Sequence, residues 1–157
     1  MKIRIFFTVL VIGIISFSSL KAQISIGPGV AYGTNIDQIG VLGNVTYNFA
    51  QKWGVMGDLT FFLQTQDITW TALDIDATYD FCKLNEKNNL YALAGLDFLR
   101  TKASILGYTA TGNDTGLNLG VGWKMKLSNK IFFIPEARYS FISDGFLRIG
   151  ARLMFSL

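Results

Sequence analysis

Asp74, Asp76 and Asp80 stand an even number of residues apart. In an extended chain, even spacing puts side chains on one face. Three carboxylates on one face could hold a hard cation, whose sites gather several oxygen ligands from a loop or cluster. Glu136 and Arg138 share a face in the same way and could be read as a catalytic acid beside a cation. Charge balance favours another reading of both. Asp58, Asp74, Asp76, Asp80 and Asp97 all lie before residue 100, whereas Lys124, Arg138, Arg148 and Arg152 follow residue 120, with Glu136 among them. Acidic and basic walls that face each other satisfy each other, so these ten residues are expected to form an internal charge network. No metal, cofactor or catalytic centre is expected.

The rest of the catalytic repertoire is thin. There is no His, which removes the commonest general base and every Ser-His or Cys-His pair. The single Cys82 has no disulfide partner. Gly27-Pro28-Gly29 opens no helix and is not a phosphate loop. The formal charge of +3 arises in the first 21 residues. Without Lys2, Arg4 and Lys21, 11 of the 14 Lys and Arg remain against 11 Asp and Glu. A basic nucleic-acid footprint is therefore absent.

Residues 1–22 read as a secretory signal peptide. Lys2 and Arg4 precede an apolar run from Ile5 to Ile15, and Ala22 follows small residues as a cleavage site. The run is short for a spanning helix, which needs roughly 20 residues. Residues 23–157 form one domain with no linker.

This domain consists of alternating segments, the clearest being Leu117 to Leu127. Leu117, Leu119, Val121, Trp123, Met125 and Leu127 alternate with Asn118, Gly120, Gly122, Lys124 and Lys126. Period-two alternation is the mark of a β-strand with two unlike faces. Seven further segments follow the rule: 24–32, 39–49, 53–64, 73–82, 90–100, 131–141 and 146–157. In 90–100, Tyr91, Leu93 and Leu99 fall on the otherwise polar face. Turn chemistry joins the segments, and the longest connection, Thr101 to Asp114, is expected to be a loop carrying Ile105, Leu106 and Tyr108.

A soluble sandwich or lipocalin-like barrel would turn the large apolar set inward. Three features favour the opposite. The polar face is rich in Gly, Ser, Thr and Asn, which suit a narrow lumen. Outward aromatics cluster towards strand ends, with Tyr47, Trp53, Tyr79, Trp123 and Phe155 in one belt and Tyr32, Phe61 and Tyr139 in the other, as in transmembrane barrels. The segments also have the length that a tilted strand needs to cross a bilayer. A sheet in lipid must close, because free edge groups would go unsatisfied. The expected fold is all-β, an eight-stranded antiparallel up-and-down barrel, with both termini on the periplasmic side. Its lumen would be just wide enough for its own side chains.

The strands Leu93-Ala94-Gly95-Leu96, Leu119-Gly120-Val121-Gly122 and Ile134-Pro135-Glu136-Ala137-Arg138-Tyr139 resemble those of the small outer-membrane β-barrel domain family of Gram-negative bacteria, of OmpA/OmpX-like or PorT-like type. The last is similar to a Pro-Glu-x-Arg-Tyr strand near the end of such domains. The resemblance implies an address in the cell outer membrane, with outer-membrane lipid and the barrel-assembly machinery as partners. It departs at the C-terminus, where Leu157 stands in place of an aromatic residue and Phe155 lies two before it. Barrel-shaped lipid hydrolases and acyltransferases of this size rely on a catalytic His that this chain lacks.

Two function classes remain. One is a non-enzymatic structural or surface-interaction barrel with a salt-bridged, plugged lumen. The other is a ligand-binding barrel, either soluble and lipocalin-like or a membrane barrel carrying a small apolar molecule. No surface partner is specified.

Overall fold

The computed structural model describes residues 23–63, 68–105, 108–142 and 145–157. The expected signal peptide (1–22), Gln64 and Leu106 lie outside the described residues. Eight strands follow one another: β1 (Gln23–Gly33), β2 (Gln38–Asn48), β3 (Trp53–Phe62), β4 (Ile68–Asn85), β5 (Asn88–Ile105), β6 (Tyr108–Lys126), β7 (Ile131–Phe141) and β8 (Phe146–Ser156). Each pairs antiparallel with the next, and β1 pairs with β8 as well as β2, so the sheet closes into a barrel. Gln23 and Ser156 side chains hydrogen-bond across the closing seam.

The alternation decides the wall. On β6, Leu117, Leu119, Val121 and Trp123 are exposed, as is Leu127 just past its end, while Asn118 and Gly122 are buried. About ten residues at ~3.4 Å each, tilted by ~40°, span ~25 Å, the height of a membrane barrel's apolar band. The aromatic side chains of the two belts sit on this outer face. Trp53 and Tyr79, cross-strand partners near the end that carries Gln23 and Leu157, have ring centroids 4.6 Å apart. Tyr47, Trp123 and Phe155 lie at the same end, while Tyr32, Phe61 and Tyr139 lie towards the other, where Tyr139 meets Phe141 at 5.0 Å.

One expectation is corrected. The segment Thr101 to Asp114 is not a loop. β5 runs on to Ile105 and β6 begins at Tyr108, paired in unbroken register from Asp97–Gly116 to Ile105–Tyr108. β4 joins them, with Ile68 opposite Ala103 and Trp70 opposite Thr101. The result is a three-stranded ribbon rising about 20 Å past the barrel rim, at ~3.4 Å per residue. On its outward face the apolar residues stop. Thr71, Arg100 and Asn113 lie across from one another, followed by Thr69, Lys102 and Thr111. At the opposite end, β4 and β5 likewise run further than the alternation indicated, to a tight turn at Glu86-Lys87. Register shifts at Asp80/Cys82 and Lys83/Asn85 accommodate it.

The lumen is filled in layers. Towards the terminal end, Met56, Tyr91, Leu93, Ile134 and Met154 pack together. Towards the other end, Phe62, Ala72, Leu99 and Phe146 form a second apolar layer, with Phe62 and Phe146 edge to face at 5.8 Å. Charged side chains occupy the space between.

Candidate functional site

Each strand from β3 to β8 sends at least one polar side chain into the mid-lumen. Asp58 comes from β3, Asp74 and Asp76 from β4, Asp97 from β5, Asn118 from β6, Glu136 and Arg138 from β7, and Arg148 and Arg152 from β8. All are buried, and Asp74 and Asp97 have no exposed surface. Arg138 is the hub. Its guanidinium lies 2.6 Å from Asp58, 3.1 Å from both Asp74 and Asp76, and 2.5 Å from Glu136. Arg148 reaches Asp74 at 2.5 Å and Asp97 at 3.0 Å. Arg152 reaches Asp58 at 2.9 Å and pairs with Glu136. Neutral donors complete the set. Asn118 donates to Asp74 at 2.9 Å, Asn44 to Asp58 at 2.6 Å, and the Tyr91 hydroxyl to Glu136.

The small residues of the inward face have a steric purpose. Each lumenal arginine sits opposite a glycine on the neighbouring strand: Arg138 opposite Gly120, Arg148 opposite Gly33, and Arg152 opposite Gly29. A Cβ at Gly120 would stand 2.9 Å from the Cβ of Arg138, and one at Gly29 would stand 2.8 Å from that of Arg152. Glycine at these two positions makes room for the base of the arginine side chain, whereas a Cβ at Gly33 would meet the Phe146 ring at 2.8 Å. Gly122 serves the same end for Tyr91, whose ring occupies the space a side chain there would need. Gly122→Val is expected to displace Tyr91 from Glu136 and destabilise the barrel by about 1–3 kcal/mol, the usual cost of overpacking. Urea titration of the folded fraction checks this, and Tyr91→Ala on the Gly122→Val background should recover part of the loss.

Eight of the ten charged residues named from the sequence lie in this one cluster. Asp80 and Lys124 do not. They form a separate, half-buried pair at 3.3 Å near the terminal end, and Asn89 sits 3.4 Å from Asp80. Asp80 is therefore parted from Asp74 and Asp76, and the three do not converge. Among the described residues, no group of three or more acids, Cys or His is arranged to hold a metal ion. Tyr91 is the member that sequence reasoning placed on the inward face without assigning it a partner. Its partner is 45 residues away and becomes visible only through the strand register.

The closed ring, the outward apolar band and the polar lumen together describe a protein whose solvent is lipid. The outer membrane protein beta-barrel domain family matches residues 8–151, nearly the whole chain. The chain belongs to this family. The barrel is thus an integral protein of the cell outer membrane. Among solved structures, it is similar to the N-terminal β-barrel domain of Pseudomonas aeruginosa OprF, with TM-score 0.71 and 15% identity, covering 87% of this chain and 100% of that one. It is also similar to Ail, the attachment invasion locus protein of Yersinia pestis, with TM-score 0.60 and 24% identity over 85% and 97% of the two chains. Neisserial surface protein A is a third, at TM-score 0.67 and 13% identity over 85% and 96%. At these identities the likeness is one of fold. No curated protein matches the chain in sequence.

Proposed function

We propose that this outer-membrane barrel is a non-enzymatic surface-interaction protein whose lumen is closed by its own charges. The observation that carries the reading is the ribbon of β4, β5 and β6. A barrel that only needed to span the membrane would end its strands at the aromatic belt, as β1, β2, β3, β7 and β8 do. Three neighbouring strands instead continue into water with a face that turns polar at Thr71, Arg100 and Asn113. The described part of β7 pairs with β6 only from Leu117 downward, so the β6 edge at Tyr108–Asn113 is left to another partner. Unpaired edges of this kind recruit extended segments of other chains. With both termini in the periplasm, the ribbon stands outside the cell. The mid-lumen groups are already engaged with one another, which leaves none poised to act on a substrate. The barrel-assembly machinery is the partner in biogenesis.

The test compares cells carrying the full chain with cells in which residues 102–111 are replaced by Asn-Gly, a two-residue hairpin turn closed by the Thr101–Gly112 pair. The shortened barrel is expected to stay in the outer membrane and to run faster on gels unheated than heated. Attachment of the cells to one another and to protein-coated surfaces is expected to fall to that of cells without the protein. Equal attachment with and without the ribbon would overturn the reading.

A further inference from the structure

The lumen is not filled at the end that carries the termini. A blind cavity of about 420 Å³ opens there, outside the layer of Met56, Tyr91, Ile134 and Met154. Its floor is mainly apolar. The polar groups that reach the floor are already satisfied: Tyr91 donates to Glu136, and Arg152 is held by Asp58, Glu136 and the Met56 sulfur, 3.0 Å from its Nη1. The walls nearer the mouth are neutral hydrogen-bonding groups, among them Thr46, Asn48, Thr78 and Asn89, together with the Lys124–Asp80 pair. The surroundings of the mouth carry an excess of positive charge. Among the described residues at this end of the barrel, Lys52, Lys83, Lys87, Lys124, Lys126 and Lys130 stand against Asp80 and Glu86, with Lys124 in the lining itself. A concave site of this size, apolar in its depth with a few polar groups near its opening, has the form of a small-molecule pocket. One sign of charge around a low-dielectric mouth raises the local concentration of ligands of the opposite sign.

We infer that this cavity binds an anionic single-chain amphiphile, tail against Met56, Ile134 and Met154 and acid group at Lys124. At about 30 Å³ per water-sized group, the cavity holds roughly 14 heavy atoms, the size of a twelve-carbon fatty acid. The ion cluster closes the inner end, so the ligand enters and leaves by the same periplasm-facing mouth. This site is separate from the ribbon and does not depend on it. It does require the orientation proposed above.

The experiment places the full barrel in phosphatidylcholine nanodiscs with methyl-labelled methionine and adds dodecanoate, following each methyl signal by NMR. Met56 and Met154 line the cavity, and Met125 lies on β6 outside its lining and serves as the internal reference. Saturable shifts at Met56 and Met154 with Met125 unmoved are expected. Lys124→Gln is expected to weaken binding about fivefold, the scale of one half-exposed charge pair. Thr46→Phe, which fills the cavity, is expected to abolish it in a barrel that still shows heat-dependent gel mobility. Dodecyltrimethylammonium, with the same chain and the opposite charge, is expected not to bind. Parallel shifts at all three methionines would mean partition into lipid and would overturn the proposal. Equal binding of the cationic amphiphile, or binding undiminished in Thr46→Phe, would overturn it as well. Loss of attachment on trimming the ribbon, by contrast, leaves this site untouched, so the two readings fail separately.

Discussion

Replacing Arg138 with Met is expected to cost the barrel roughly 3–5 kcal/mol, the penalty for stripping a buried charge network of one partner. The geometry puts the effect at the upper end. Arg138 lies within 3.1 Å of four carboxylates, and no other cation in the cluster touches Asp76. The cluster already sets five carboxylates, Asp58, Asp74, Asp76, Asp97 and Glu136, against three guanidinium groups. Losing Arg138 leaves five against two among side chains buried away from bulk solvent. The mirror change has the opposite sense. Asp76→Asn leaves four against three and keeps an oxygen for Arg138, while the other Asp76 oxygen has no partner to lose. It is expected to be near neutral or stabilising. Urea titration in phospholipid vesicles, read by gel mobility, separates the two. A midpoint for Arg138→Met equal to that of the natural chain would show that the cluster is not what holds the lumen.

Val121→Arg is expected to destabilise the inserted barrel by about 2–4 kcal/mol, the cost of a cation on the lipid face near the bilayer midplane. Val121 lies on the outward face of β6, midway along the apolar band, and is 56% exposed. For a water-soluble barrel, an exposed valine exchanged for arginine would be close to neutral. The same substitution at Thr111, on the same face of the same strand but in the ribbon, is expected to cost nothing measurable. Folding yield into vesicles distinguishes the two positions. Equal effects at Val121 and Thr111 would mean that lipid does not cover the band.

Much of this architecture can be read from residue order alone. The alternation from Leu117 to Leu127 fixes a strand and its two faces. The content of the inward face, glycine beside arginine and aspartate, identifies it as a narrow lumen. The ribbon was not legible for a physical reason. Between Thr109 and Thr115 the chain reads Thr-Ala-Thr-Gly-Asn-Asp-Thr, with no apolar alternation, because above the membrane neither face is buried. Strand formation there rests on cross-strand pairing, which a local pattern does not encode. The apolar lumen layers were hidden for a related reason. Phe62, Ile134, Phe146 and Met154 occupy inward positions on strands that also turn charged residues inward, and only closure brings them into contact. The pairing within the charge cluster was likewise out of reach. That Asp80 belongs with Lys124 and not with Asp74 and Asp76 follows from the register of β4, β5 and β6.

The central claim, a surface-presenting barrel whose own charges close its lumen, is tested most directly by conductance. Purified protein inserted into a planar lipid bilayer is expected to pass no steady current, at most brief and small openings. The charged layer lies between two apolar layers, and in the proposed reading the three together bar hydrated ions. A steady, large conductance that scales with the amount of protein inserted would contradict the account and make the barrel a pore.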